Sequence, residues 1–115
     1  AFSLSGTLLF SQKVNVDSLK QVLPHATSDT AKFNILSQII RAYYWNNSDS
    51  AFHYAQIGNR AIQGKGYPDL EVKSLLLISR SHTITGNYHS AIKTALNALR
   101  IAEKINKDNF FNISD

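Results

Sequence analysis

Apolar residues recur along this chain at helical spacing, in blocks broken by asparagine, glycine and proline. The block from Gly86 to Ala102 is the clearest. Tyr88, Ala91, Ile92, Ala95, Leu96, Leu99 and Ala102 follow the i, i+3, i+4, i+7 pattern of one helix stripe, while Lys93, Asn97, Arg100 and Lys104 take the other side. Ala91, Ala95, Ala98 and Ala102 have almost no side chain, so a neighbouring helix can approach closely there. The spacing therefore predicts a helix packed from more than one direction. Asn87 suits its N-cap, and Gly86 lets the helix before it stop in a left-handed conformation.

The rest of the chain divides the same way. Leu19, Val22 and Leu23 predict a short helix over 16–23, closed by Pro24 and capping the first apolar face. Ser28 or Asp29 starts a longer helix carrying Phe33, Ile35, Leu36, Ile39, Ile40, Tyr43 and Tyr44, ended by the turn Trp45 to Ser48. Asp49 opens its partner, with Ala51, Tyr54, Ala55, Gly58, Ala61 and Ile62 facing inward. Gly64 and Gly66 terminate that helix, and Pro68 suits the first turn of the next. Asp29, Asp49 and Asp69 recur at 20-residue intervals, each at a predicted helix start, where a carboxylate meets the positive end of the helix dipole.

The alanine pair Ala51 and Ala55 precedes Ala91 and Ala95 by 40 residues, which makes the 20-residue interval half of a repeated helix-turn-helix. Gly86, Tyr88 and Ala91, followed by small residues four and seven positions later, resemble the second half of a tetratricopeptide repeat (TPR). The first-helix positions of that repeat are here Leu75, Ile78, Ser79 and His82, and the later aromatic position is Ala95. Ser79 preserves close packing; His82 is polar where an aromatic is usual. The period exceeds the ~34 residues common in the class. Together with Val16 to Pro24 and Ser28 to Thr30, the two repeats look like the N-terminal sensory region of bacterial TPR-containing histidine kinases and related regulators.

The resemblance implies an all-α fold, a right-handed α-α superhelix of about two TPR-like repeats plus a short N-terminal helix. The domain runs over 13–115, with repeat one at about 29–64, repeat two at about 68–106 and the start of a third repeat at 109–115. It also implies a non-enzymatic module that binds a protein or peptide on its concave face, in a signalling protein. A small-molecule-sensing domain using Tyr43, Tyr44, His82 and Arg80, or a structural segment of a TPR-containing transcriptional regulator, is the other reading. An array that ends in mid-repeat leaves an apolar helix face open to self-association.

With 115 residues, 43% of them hydrophobic and 17% charged, the composition is that of one small globular domain. The absence of cysteine removes disulfides, thiolate catalysis and cysteine metal sites. A net charge of +4 raises the question of nucleic acid, but the cations are scattered from Lys13 to Lys107 without the run that a phosphate footprint needs. Ala1 to Phe10 is uncharged and apolar. It reads either as the end of a secretory signal within 1–12, implying the periplasm or cell envelope, or as an extended N-terminal segment compatible with the cytoplasm. It is too short to span a bilayer, which takes about 20 apolar residues.

Candidate chemistry is sparse. The acids Asp17, Asp29, Asp49 and Asp69 sit at helix starts rather than as an acid/base pair. No two of His25, His53, His82 and His89 are three or four residues apart, so no helical metal pair forms, and His82 suits a hydrogen-bonded core position. No nucleophile elbow is present, and Gly64 to Gly66 is too short for a phosphate loop. No catalytic, cofactor or metal residue is expected. Projected onto the repeat, the concave face takes Phe33, Leu36, Ile40, Tyr43 and Tyr44 from the first repeat, and Lys73, Leu76, Arg80, Thr83 and Ile84 from the second. Of these, Tyr43, Tyr44, Lys73, Leu76, Arg80 and Thr83 are the expected partner-binding residues. Lys73 and Arg80 share a stripe and offer two cations to an acidic segment. The plainer reading makes those two solvated and Phe33, Leu36 and Ile40 core. The lysine and asparagine that grip a peptide C-terminus in chaperone-binding relatives correspond to Leu36 and Ile40, which argues against a carboxylate clamp.

Overall fold

The structure, a computed structural model, describes residues 15–114, with side chains as far as Asp108. The segment 1–12, read above as a leader or an extended arm, lies outside the described residues. Among those described there is no strand. The elements are α1 (Val16–Val22), a 3-10 turn (Leu23–His25), α2 (Asp29–Tyr43), α3 (Ser48–Ile62), α4 (Pro68–Ile84) and α5 (Tyr88–Ser114).

Local chemistry sets the helix starts. The Asn15 side chain accepts from the amides of Asp17 and Ser18, and Ser28 Oγ accepts from the Ala31 amide at 3.1 Å. Asn47, rather than Asp49, caps α3, its Oδ1 accepting from the Ser50 amide at 3.2 Å. Asp49 sits one residue inside that helix, still against its positive end. Pro68 begins α4, where its missing N–H costs nothing. Between α4 and α5 the chain turns at Gly86, whose φ of 81° is open to glycine at no steric cost. There the Asn87 amide reaches back to the His82 carbonyl at 2.8 Å, closing the helix end.

The main helix contacts join elements adjacent in sequence, as in a solenoid: α2 with α3, α3 with α4 and α4 with α5, with α1 laid against α2. Phe33, Leu36, Ile39 and Ile40 of α2 are buried with Ala51, Ala55 and Ile62 of α3. Gly58 of α3 is buried against Phe33 of α2, and a Cβ there would meet the ring at 3.7 Å, an ordinary packing contact. Asn59 Nδ2 donates to Ser74 Oγ at 2.8 Å and so links α3 to α4, while Ser79 Oγ donates to the Ala91 carbonyl at 2.8 Å and links α4 to α5. His82 is half-buried, its ring 4.9 Å from that of Phe52 on α3. It packs on that ring, with no ring hydrogen bond among the described residues, in place of the hydrogen-bonded core histidine expected.

Two features of α5 differ from expectation. The 40-residue period predicts the start of a third repeat at 109, but α5 runs unbroken from Tyr88 to Ser114, because no glycine or proline follows Gly86 to stop it. The single apolar stripe also splits in two. Ala91 and Ala98 are buried against α4, whereas Tyr88, Ile92, Leu96 and Leu99 are 63%, 60%, 52% and 52% exposed. Among the described residues no helix is long and apolar enough to cross a membrane.

Candidate functional site

The first helices of the two repeats, α2 and α4, flank a groove of about 210 Å³. One wall is Phe33, Ser37, Arg41 and Tyr44, at spacings of four, four and three residues along α2 and its C-cap. The other is Lys73, Leu76, Leu77 and Arg80 along α4. Each set is one helix stripe, so helical periodicity alone brings the two rows face to face.

Tyr44 forms the innermost part of the wall. It is 4% exposed, and the Arg80 guanidinium carbon lies 5.6 Å from its ring centre, a cation–π contact across the groove. The hydroxyl is buried without a hydrogen-bond partner. Burial pushes its pKa up from the ordinary value, while the positive charges of Arg80 and Arg41 pull in the other direction. The phenol is therefore neutral at physiological pH. Ser37 Oγ is satisfied within α2, donating to the Phe33 carbonyl at 2.8 Å.

The groove carries three cations, Arg41, Lys73 and Arg80, and no acidic side chain lines it. All three are exposed. Among the described residues none of them is in an ion pair; the pair that forms, Lys65 with Asp29 at 3.7 Å, lies elsewhere. Between Lys73 and Arg80, Leu76 is 50% exposed, a large apolar side chain left open in a cationic setting.

The chain matches the family model of the SusR N-terminal TPR domain over residues 10–112. It belongs to this TPR family. No curated protein and no solved structure matches the chain. The all-α helical repeat deduced from the sequence is thus the fold of the molecule, and a TPR domain is in general a protein-interaction module on a fold that is generally non-enzymatic.

Within this TPR domain four of the expected residues, Tyr44, Lys73, Leu76 and Arg80, meet in the one groove. Tyr43 does not. Its ring stacks on Tyr54 at 6.0 Å, and Lys20 Nζ lies 5.1 Å and 5.5 Å from the two ring centres, so Tyr43 fastens α1 to the first repeat. Thr83 also stands outside the groove, its Oγ1 donating to the Ser79 carbonyl at 3.0 Å. Leu36 and Ile40 are core and Ile84 packs against that core, whereas Phe33, though buried like Tyr44, reaches the groove wall. Tyr43, Tyr44, His82 and Arg80 do not converge on one cavity, since neither Tyr43 nor His82 lines the groove. Arg41 was missed. The stripe from Ser37 to Tyr44 passes through it, but tracing apolar residues alone skips a polar position between them. Among the described residues no cluster of three or more His, Cys, Asp or Glu could hold a metal ion.

Proposed function

We propose that this TPR domain is the non-enzymatic, N-terminal sensory or scaffold part of a bacterial signal-transduction protein, and that it takes a peptide or protein segment in the groove between α2 and α4. The apolar Ala1 to Phe10 stretch supports a place in the periplasm or cell envelope. The observation that carries the binding reading is Leu76, half-exposed between Lys73 and Arg80 and facing the wall of Arg41 and Tyr44. A half-exposed leucine flanked by cations at the edge of a groove offers a partner apolar area to bury and charge to orient it. Arginine and tyrosine are enriched among residues that dominate interface energetics.

Panning a random peptide display library against the chain tests the reading. Enriched peptides are expected to lose binding to Leu76→Asp and to Arg80→Glu, and to keep it for Lys93→Glu on α5. No enrichment, or equal loss in all three variants, would rule the groove out.

A further inference from the structure

We infer that the occupant of this groove is an acidic segment of a partner protein, with carboxylates on both sides of an aliphatic side chain; this deepens the interaction reading above and rests on it. Three cations face one another across the groove with no acid among its lining residues. None of the three is neutralised among the described residues, where the ion pair formed is Lys65 with Asp29. Acids sit instead in the first turns of helices, Asp29, Asp49, Asp69 and Glu71 among them. Like charges gathered around a partly apolar slot raise the local potential and favour an anionic partner of matching spacing.

The spacing narrows the partner. Lys73 and Arg80 are two turns apart on α4, about 10 Å along the axis at ~1.5 Å per residue. Three residue steps of extended peptide, from one position to the third after it, cover a similar length at ~3.3 Å each. A carboxylate at either end of such a stretch meets one cation on α4, and Arg41 on the opposite wall is placed for either. Of the two residues between them, an aliphatic one falls on Leu76 and Leu77, which line the groove with Phe33. Tyr44, capped by Arg80, supplies the floor.

Fluorescence anisotropy with three labelled peptides tests this: Gly-Asp-Glu-Leu-Glu-Asp-Gly, its Asn/Gln counterpart and its Lys counterpart. The acidic peptide is expected to bind about tenfold more tightly than the amide version, the size of one or two charge-assisted hydrogen bonds. That advantage is expected to shrink as salt is raised, because the cations are exposed. Lys73→Gln and Arg80→Gln are each expected to weaken the acidic peptide several-fold, and Lys93→Gln to leave it unchanged. Equal binding of the acidic and amide peptides overturns the inference and leaves the groove reading standing. So does an oligothymidylate that displaces the acidic peptide with the same sensitivity to Arg80→Gln, since the groove would then read phosphate. If none of the three peptides binds while a library-selected one does, the acidic inference alone falls. If no peptide of either kind binds, both readings fall.

Discussion

Arg80 reaches from α4 across to Tyr44 at the end of α2, its guanidinium carbon 5.6 Å from the ring centre, and so joins the two repeats on the face that forms the groove. A contact of this type is worth about 0.5–2 kcal/mol depending on how far it is withdrawn from water. Because Arg80 is itself exposed, the lower part of that range applies. Arg80→Ala is expected to lower stability by about 0.5 kcal/mol in urea denaturation, with Arg80→Lys recovering part of the loss. No change in the midpoint would show that the cation contributes nothing to joining the repeats.

Tyr44 is expected to behave differently from an ordinary core tyrosine. Its hydroxyl has no partner, and an unsatisfied buried hydroxyl costs about 1–3 kcal/mol. Tyr44→Phe is therefore expected to be neutral or stabilising by about 1 kcal/mol, against the loss usual for removing a bonded hydroxyl.

The same residue sets an alkaline limit. Burial raises the Tyr44 pKa above its ordinary value of 10.0, so the unfolded chain releases the phenolic proton before the folded one does. The unfolded state then binds fewer protons, and stability falls as pH rises above about 10. Below that point the full contribution is present. Urea midpoints measured at neutral pH and at about pH 10.5 are expected to differ less in Tyr44→Phe than in the parent; an identical drop in both would assign the alkaline loss to other groups.

α1 buries no residue of its own, and Lys20 lies over both the Tyr43 and Tyr54 rings. Lys20→Ala is expected to speed amide exchange across Val16–Val22 by several-fold while leaving α4 and α5 unchanged. Exchange that rises evenly along the chain would show that Lys20 acts on the whole fold rather than on the docking of α1.

Tyr88, Ile92, Leu96 and Leu99 form an exposed apolar row on α5. Surfaces of this kind drive association. Sedimentation of the chain is expected to depend on concentration, and Leu96→Glu with Leu99→Glu to abolish that dependence with little effect on stability. A monomer at every concentration would remove this face as a contact.

Helix limits were legible because they are local. Ser28, Gly86 and Pro68 act through their own backbone or that of neighbours a few residues away. Faces were harder to read. Tyr43 and Tyr44 are consecutive and so point about 100° apart on a helix, and only the positions of α1 and α4 decide that one meets Lys20 and the other Arg80. The α5 faces pose the same problem: Ala91 and Ile92 are both apolar, yet α4 takes the alanine because the helices sit close enough for Ser79 to bond the Ala91 carbonyl. Asn59 is a polar residue at the position where the second repeat has Leu99. Its bond to the buried Ser74 hydroxyl, which in turn donates to the Glu71 carbonyl at 2.9 Å, makes it part of the α3–α4 contact. Such a partner, 15 residues away, cannot be read from position 59 alone.

The groove itself is tested most directly by amide chemical-shift mapping of the isotope-labelled chain during titration with a library-selected peptide. Shifts concentrated at Phe33, Ser37, Arg41 and Tyr44 on one side and at Lys73, Leu76, Leu77 and Arg80 on the other are the predicted result. Shifts confined to the exposed row from Tyr88 to Leu99, with the α2 and α4 positions unmoved, would contradict it.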